Sequence, residues 1–137
     1  MIKTPARRLP VVLIVDDEPL LRMFAAEAAE EAGFAVLQAK NADEAVMVLE
    51  AHPDVALLCT DINMPGSMNG LELAHAVRNR WPLIKTLIVS GQMMPGPSDL
   101  PPDSCFLGKP YHTEAMIAEL HLLVAAHTQD GIPACRK

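Results

Sequence analysis

The sequence lacks any long hydrophobic segment. No apolar run approaches the roughly 20 residues that a membrane-spanning helix needs. The first ten residues, MIKTPARRLP, carry positive charge but no extended apolar stretch before a cleavage site, so we expect no secretion signal. The protein is therefore predicted to be cytoplasmic and not inserted in a membrane.

Positive charge is also scarce. The chain has 11 Lys and Arg residues against 17 Asp and Glu residues, with a net charge of −6 and a pI near 5.2. Proteins that bind the phosphate backbone of nucleic acids present a basic surface. Direct binding of nucleic acid is therefore disfavoured.

Cysteines are few and widely spaced. Cys59, Cys105 and Cys135 form no CxxC pair, so neither a metal site nor a redox motif is indicated. We expect two buried structural thiols and one thiol in the C-terminal tail, all reduced as in a cytoplasmic protein.

The composition is that of an ordinary globular domain. Half of the 137 residues are hydrophobic and a fifth are charged, which is enough for one substantial core. We assign residues 10–127 to the domain, residues 1–9 to an N-terminal extension and residues 128–137 to a flexible tail.

Apolar runs that suit strands alternate with patterns that suit helices. The predicted strands cover residues 11–15, 34–39, 54–60, 84–90 and 104–108, and the predicted helices cover residues 19–32, 41–52, 71–80 and 113–127. Strands that are apolar throughout and separated by helices indicate a parallel sheet covered on both faces. The expected fold class is α/β, with a doubly wound five-stranded parallel sheet made of five βα units.

The fourth of these units is irregular. Its helical segment reads GQMMPGPSDLPPD, with four prolines and two glycines in 13 residues. Proline removes a backbone donor and clashes with the preceding turn of a helix. The fourth helix is therefore predicted to be short or irregular.

Polar side chains follow four of the predicted strands. Asp16 and Asp17 follow the first strand, Asp61 the third, Ser90 ends the fourth and Lys109 follows the fifth. Ligands of parallel α/β sheets bind outside the carboxyl ends of the strands, so these side chains are expected to meet. Acids at strand ends are often helix caps or solvated charges, and we interpret Glu18 in that way. The remaining five polar residues all stand at the ends of predicted strands, which chance placement does not explain.

The expected cluster suits phosphoryl transfer. Three carboxylates packed together repel one another and favour a hard cation, and Mg²⁺ accepts such oxygen ligands. A divalent cation, a lysine and a hydroxyl around one carboxylate would position and neutralise a phosphoryl group. The attacking carboxylate would become an acyl phosphate.

These residues lie in segments that together resemble a known family. LIVDDEP, DINMPG followed by NGLEL, LIVSG and FLGKP occur in the order and at nearly the spacings of response regulator receiver domains. The chain is similar to the chemotaxis-type single-domain regulators of two-component systems from about Pro10 to His127. The resemblance implies a flavodoxin-like fold.

The resemblance also implies roles for the acidic residues. Asp61 would be the phosphoacceptor. Asp17 and Asp61 would bind Mg²⁺ directly together with the backbone carbonyl of Asn63, while Asp16 would act through a bound water. Asn63 and Gln92 would stand at positions that influence the hydrolysis of the acyl phosphate.

Further roles are implied around the phosphoryl group. Lys109 would pair with it, and the bond from Lys109 to Pro110 would be cis. The Ser90 hydroxyl would move toward a phosphoryl oxygen and open space for Phe106, at the aromatic switch position, to turn inward. A core role for Phe106 is the alternative interpretation.

Departures from the family pattern concern the surface that binds partners. The loop MPGSMNG is one residue longer than usual, and Gly91 stands where alanine is common. The proline-rich segment 91–103 replaces a helix that often docks partners or a second copy. We expect a monomer or weak dimer, and the downstream partner stays unknown.

The leading functional prediction is a stand-alone receiver and not an enzyme. A histidine kinase or histidine phosphotransfer protein would phosphorylate Asp61, and the surface near the fourth helical region and fifth strand would switch for protein binding or phosphorelay. The alternatives are an adaptor that works without phosphorylation and a small Mg²⁺-dependent phosphatase. A flavin electron carrier is weaker still, because no phosphate-binding loop follows the first strand.

Overall fold

The computed structural model describes residues 10–91, 99–102, 104–109 and 112–129, with side chains in the last helix described to residue 125. Nine elements follow one another in this part of the chain: β1 (Val11–Val15), α1 (Pro19–Glu31), β2 (Ala35–Ala39), α2 (Ala42–Ala51), β3 (Val55–Asp61), α3 (Gly70–Arg80), β4 (Lys85–Ser90), β5 (Ser104–Gly108) and α4 (Thr113–Gln129).

The five strands form one parallel sheet in the order β2-β1-β3-β4-β5. The strand order reverses at β1, which lies between β2 and β3. The predicted α/β fold with a five-stranded parallel sheet is confirmed. The reversal brings the carboxyl ends of β1 and β3 side by side, which is where open sheets of this kind bind ligands.

Two large hydrophobic clusters cover the two faces of the sheet. Successive strand side chains point to opposite faces, so Val12 and Ile14 pack under α1 and α4, whereas Leu13 and Val15 pack under α2 and α3. Because both faces are covered, the strands read as continuous apolar runs in the sequence.

Local signals in the sequence account for several of the helix ends. Pro19 occupies the first helical turn of α1, and Gly33 just beyond its end has a φ of +106°, which favours glycine. The Asn41 side chain caps α2 by accepting from Glu44 N at 2.8 Å. Asn69 and Glu72 form a reciprocal capping box at the start of α3.

The connection from β4 to β5 differs from the other connections. Among its described residues, 91 and 99–102, no α-helix forms, which agrees with the proline-rich sequence. This connection is attached to α3, because His75 Nε2 donates to the carbonyl oxygen of Asp99 at 2.7 Å. Leu100 packs against a third, small cluster that contains Ile62, Ala74 and Ile88.

The last helix continues to Gln129, two residues beyond its predicted end. The predicted N-terminal extension, residues 1–9, and residues 130–137 of the predicted tail lie outside the described residues. No helix in the described ranges is both long and apolar enough to cross a bilayer.

The two cysteines in the described part of the chain are in different states. Cys59 is a buried free thiol, as expected. Cys105 is disulfide-bonded, so the expectation of a reduced thiol at this position is wrong. Spacing along the sequence, on which that expectation rested, does not show which cysteines meet in a folded chain. Cys135 lies outside the described residues.

Candidate functional site

The carboxyl edge of the sheet carries a cluster of three carboxylates. Asp16 and Asp17 follow β1, and Asp61 is the last residue of β3. One carboxylate oxygen from each of the three lies within 4.8 Å of the others. Asp16 and Asp61 are buried, with 9% and 7% of their surface exposed, whereas Asp17 is half-buried. The structure therefore brings together acids that are 45 residues apart in the sequence.

Lys109 brings one positive charge to this cluster. Its Nζ lies 3.4 Å from Asp61 Oδ2 and 3.9 Å from Asp16 Oδ2. The backbone N–H of Lys109 donates to the Ser90 carbonyl at 2.9 Å, which continues the β4–β5 pairing to the edge of the sheet and fixes where the lysine stem begins.

The charges of the cluster do not balance. Among the described residues, three carboxylates face one ammonium group, which leaves two negative charges for a bound group to neutralise. Buried charges are stable only when they are paired or bind a metal. Oxygen donors of this kind suit Mg²⁺, so the residues present fit the predicted cofactor.

The surroundings of the Asp61 carboxyl group shift its pKa, and burial is the largest cause. Burial raises its pKa above the ordinary value of 3.8, and the negative charge of Asp16 raises it further. The ammonium group of Lys109 acts in the opposite direction but does not cancel the effect of burial. Asp61 therefore favours a proton or a cation more than an exposed aspartate does.

Ser90 and Phe106 lie on one face of the sheet, beside the cluster. Ser90 is 1% exposed at the end of β4. Phe106 pairs with Ile88, two residues before Ser90, and side chains two residues apart along a strand share a face. The Phe106 ring is half-buried against the small cluster of Ile62, Ala74 and Ile88.

The other predicted site residues are placed less fully. Asn63 is exposed in the loop after β3, two residues beyond Asp61. Gln92 and Pro110, with the predicted cis bond, lie outside the described residues. The lengthened loop is attached to the start of α2, because Ser67 Oγ donates to Asp43 Oδ1 at 2.6 Å.

Sequence reasoning missed a glycine on which the acceptor depends. A Cβ atom at Gly70 would lie 1.7 Å from the carbonyl oxygen of Asp61. The first turn of α3 packs directly on this backbone, and Gly70 N donates to the Ile62 carbonyl at 2.8 Å. The capping pair Asn69 and Glu72 marks the helix start in the sequence, but the close approach is visible only in the folded chain.

Another glycine, Gly91, and an arginine, Arg22, also border the cluster. A Cβ atom at Gly91 would lie 3.2 Å from Lys109 Cβ, so glycine at this position leaves room for the lysine stem. Arg22, on α1, donates from Nη1 to the backbone carbonyl of Asp16 at 2.8 Å. No spacing rule in the sequence marks either contact.

Cys59 lies on β3 two residues before Asp61, but it does not contribute a reactive thiolate. Burial raises the pKa of its thiol to about 12, and the charges of Asp16 and Asp61 act in the same direction. A thiol of this kind stays protonated at neutral pH and is a poor nucleophile. The chemistry of the site therefore rests on oxygen and on the Lys109 nitrogen.

Known proteins resemble this chain along most of its length. A family model described as the response regulator receiver domain matches residues 12–96. The response regulator receiver protein CpdR of Brucella abortus is 34% identical over 119 residues, which cover 84% of this chain and 98% of that relative. The chemotaxis protein CheY1 of Helicobacter pylori is 37% identical over 82 residues, which cover 58% of this chain and 65% of that relative.

Solved structures match the fold as well. A response regulator receiver protein from Sinorhizobium medicae matches with a TM-score of 0.82 at 25% identity, covering 88% of this chain and 98% of that one. A CheY-like receiver domain from Methanospirillum hungatei matches with a TM-score of 0.79 at 22% identity, covering 90% of this chain and 100% of that one. At 22% identity the second match speaks for the fold alone.

Proposed function

Because this chain belongs to the response regulator receiver domain family, we propose that it accepts a phosphoryl group on Asp61 from a histidine kinase or a histidine phosphotransfer protein. The observation that carries the proposal is the meeting of Asp16, Asp17 and Asp61 within 4.8 Å, with Lys109 Nζ 3.4 Å from Asp61. Phosphorylation would then change how the domain binds another protein.

The proposed transfer uses the chain's own side chains for positioning and charge. An oxygen of Asp61 forms a bond to phosphorus as the phosphorus–nitrogen bond of phosphohistidine breaks, and the electron pair of that bond leaves with the histidine nitrogen. Lys109, already beside Asp61 Oδ2, would then neutralise an oxygen of the transferred group.

The Mg²⁺ site would consist of Asp17, Asp61 and the backbone carbonyl of Asn63, with Asp16 acting through water. When bound, the cation would supply positive charge that offsets the repulsion between the acceptor and the incoming phosphoryl oxygens. Asp16 keeps its own orientation because its Oδ1 accepts from Glu18 N at 2.9 Å, which leaves Oδ2 on the side of Lys109.

The proposed switch joins Ser90 to Phe106. Both side chains lie on one face of the sheet, and the half-buried ring of Phe106 packs against few buried neighbours within the described residues. Movement of the Ser90 hydroxyl toward a phosphoryl oxygen would release space that the ring could occupy. The surface near β5 and the β4–β5 connection would change as a result.

The phosphodonor would approach over the start of α1. A partner that delivers phosphohistidine must cover the residues around Asp61, and α1 begins two residues after Asp17. Four large apolar side chains in its first turns are 41% to 56% exposed: Leu20, Leu21, Met23 and Phe24. A group of exposed apolar side chains is typical of a protein-binding surface.

The decisive experiment is chemical phosphorylation of the full chain. We expect incubation with Mg²⁺ and phosphoramidate to add the mass of one phosphoryl group, detected by intact mass spectrometry. The adduct should be absent in Asp61→Asn and in wild type treated with a chelator. Asp54→Asn, which changes an exposed aspartate just before β3, should be labelled like wild type.

Two results would contradict the proposal. Absence of any adduct in wild type would favour an adaptor that works without phosphorylation. Release of many equivalents of phosphate from a phosphorylated metabolite would favour a phosphatase instead.

A further inference from the structure

We infer that Arg22 is a positioning residue of the proposed Mg²⁺ site, acting through the backbone that joins Asp16 to Asp17. This inference rests on the proposed function, because it concerns the cation that would serve phosphoryl transfer. It assigns a role to a residue outside the carboxylate cluster and outside the predicted switch.

The peptide that carries both acids lies beyond the sheet. Pairing of β1 with its two neighbouring strands ends at Val15, so the next peptide unit is not held by the strand ladder on both sides. The Asp16 N–H donates to the Ala39 carbonyl at 3.2 Å. The Asp16 carbonyl, in the bond to Asp17, needs a donor from elsewhere.

Arg22 supplies that donor and is itself held in place. Its Nη1 donates to the Asp16 carbonyl at 2.8 Å, and its Nε donates to Gln38 Oε1 at 3.2 Å. Its own backbone N–H donates to Glu18 O at 2.9 Å within the first turn of α1. The planar guanidinium therefore links α1, the end of β1 and β2 in one arrangement.

This link fixes the backbone from which two carboxylates of the proposed site project, that of Asp17, which would bind the cation directly, and that of Asp16, which would act through water. The carbonyl that Arg22 holds belongs to the peptide bond between Asp16 and Asp17, so rotation of that peptide would move both carboxylates. A metal site tolerates little displacement of its ligands, and groups that orient ligands affect affinity strongly. Loss of the Arg22 contact should therefore weaken cation binding although Arg22 touches no carboxylate in the cluster.

Position rather than charge is the relevant property of Arg22. The two side-chain contacts of Arg22 in the described structure are both with neutral groups, the backbone carbonyl of Asp16 and the side-chain amide of Gln38. A residue that acts by charge would be replaced well by lysine and poorly by glutamine. A residue that acts by holding the carbonyl would be replaced partly by either.

The test is the Mg²⁺ dissociation constant of the full chain, measured by isothermal titration calorimetry with the metal alone. We expect Arg22→Ala to weaken Mg²⁺ binding about tenfold, the lower end of the range for groups that orient metal ligands. Arg22→Lys and Arg22→Gln should each fall between wild type and alanine. Gln38→Ala should weaken binding less than Arg22→Ala, because the contact with Asp16 stays.

Arg80→Ala is the matched control. Arg80 is also on the surface and hydrogen-bonded, with Nη2 3.0 Å from Glu50 Oε2, but it lies at the far end of α3. Mg²⁺ binding should be unchanged in this variant. Thermal melting of all variants in chelator should show that each is folded.

A second readout separates positioning from general damage. The rate of labelling by phosphoramidate should fall in Arg22→Ala at low Mg²⁺ and return to the wild-type rate at saturating Mg²⁺. A rate that stays low at saturation would overturn the inference, as would an unchanged Mg²⁺ affinity in Arg22→Ala. Full recovery in Arg22→Lys with none in Arg22→Gln would also overturn it, since charge would then be the cause.

The two proposals can fail separately. Wild type that binds Mg²⁺ in an Arg22-dependent manner but forms no phosphoryl adduct would contradict the proposed function and support the role of Arg22.

Discussion

At the carboxyl edge of the sheet, the side that carries the carboxylate cluster and the side that carries Phe106 are supported by different amounts of packing. Asp16 and Asp61 extend from β1 and β3, the strands that lie between the two large clusters on opposite faces of the sheet. Phe106 rests on a cluster in which only Ile62, Ala74 and Ile88 are buried, counting the described residues alone.

This difference matches two different requirements. A cation site needs ligands held to within fractions of an ångström, and dense packing on both sides of a strand provides that restraint. A switch needs an element with two arrangements of similar free energy, and a half-buried ring with few neighbours satisfies that need more readily. The packing of the described residues therefore suits the proposed cation site on one side and the proposed switch on the other.

The largest expected effect is that of substituting Gly70, which lies where α3 packs on the backbone of Asp61. In Gly70→Ala the new methyl group would lie 1.7 Å from the Asp61 carbonyl oxygen, so α3 or the acceptor backbone must move. We expect a loss of about 4 kcal/mol in the free energy of unfolding, among the larger effects of single substitutions, measured by urea denaturation. Labelling by phosphoramidate should be lost in any fraction that remains folded.

Gly108→Ala is the control for this variant. A Cβ atom at Gly108 would have ordinary contacts, 3.9 Å from Phe106 Cε2 and 4.0 Å from the Ser90 carbonyl oxygen. Its stability should stay close to that of wild type. Equal stability of the two alanine variants would show that α3 does not press on the acceptor backbone as described.

Two phenylalanines allow a direct comparison of the packing. Phe34 is 4% exposed in a large cluster, whereas Phe106 is half-buried over the small one. We expect Phe34→Ala to lower the free energy of unfolding by about 3–5 kcal/mol and Phe106→Ala by about 1–2 kcal/mol. Urea denaturation of both variants measures the difference, and an equal loss would mean that the Phe106 side is as tightly packed as the rest.

The smallest expected effect is that of Asp61→Asn, which should stabilise the protein, whereas the substitutions above destabilise it. The raised pKa of Asp61 means that folding disfavours its ionised form. This penalty is present above the folded pKa and disappears below the ordinary value of 3.8, where the carboxyl is protonated in both states. Asp61→Asn should therefore raise the melting temperature at neutral pH in chelator by about 2–5 °C.

The pH dependence of the melting temperature is the control for the effect of Asp61→Asn. The gain from Asp61→Asn should shrink as the pH falls through the folded pKa of Asp61, and Asp54→Asn should show no comparable gain. Addition of Mg²⁺ should stabilise wild type more than Asp61→Asn. A lower melting temperature for Asp61→Asn at neutral pH would mean that its pairing with Lys109 outweighs burial.

The sequence was sufficient to predict the parallel sheet and the side chains that lie together at its carboxyl edge. Apolar runs gave the strands, and the rule that ligands bind at the carboxyl ends of strands pointed to Asp16, Asp61 and Lys109. Pro19, Gly33 and Asn41 allowed helix ends to be predicted, because the effect of each depends on its own backbone conformation or on residues next to it in the sequence.

Contacts that pass through backbone atoms could not be predicted in this way. Arg22 and Gly70 contact the backbone carbonyl groups of other elements. Every residue has such a group, so the residue types in the sequence do not indicate which carbonyl will be contacted. The disulfide bond of Cys105 escaped prediction for a related reason, since three cysteines at long spacings do not indicate which of them meet.

The protonated, buried thiol of Cys59 gives the molecule a built-in reporter. Alkylating reagents attack thiolates that solvent can reach, so Cys59 is silent to them while β3 stays in the sheet. Each transient opening that exposes this strand makes the thiol available for a permanent mass tag. Pulsed alkylation followed by peptide mapping would therefore record how often the acceptor strand opens, with no dye or added mutation.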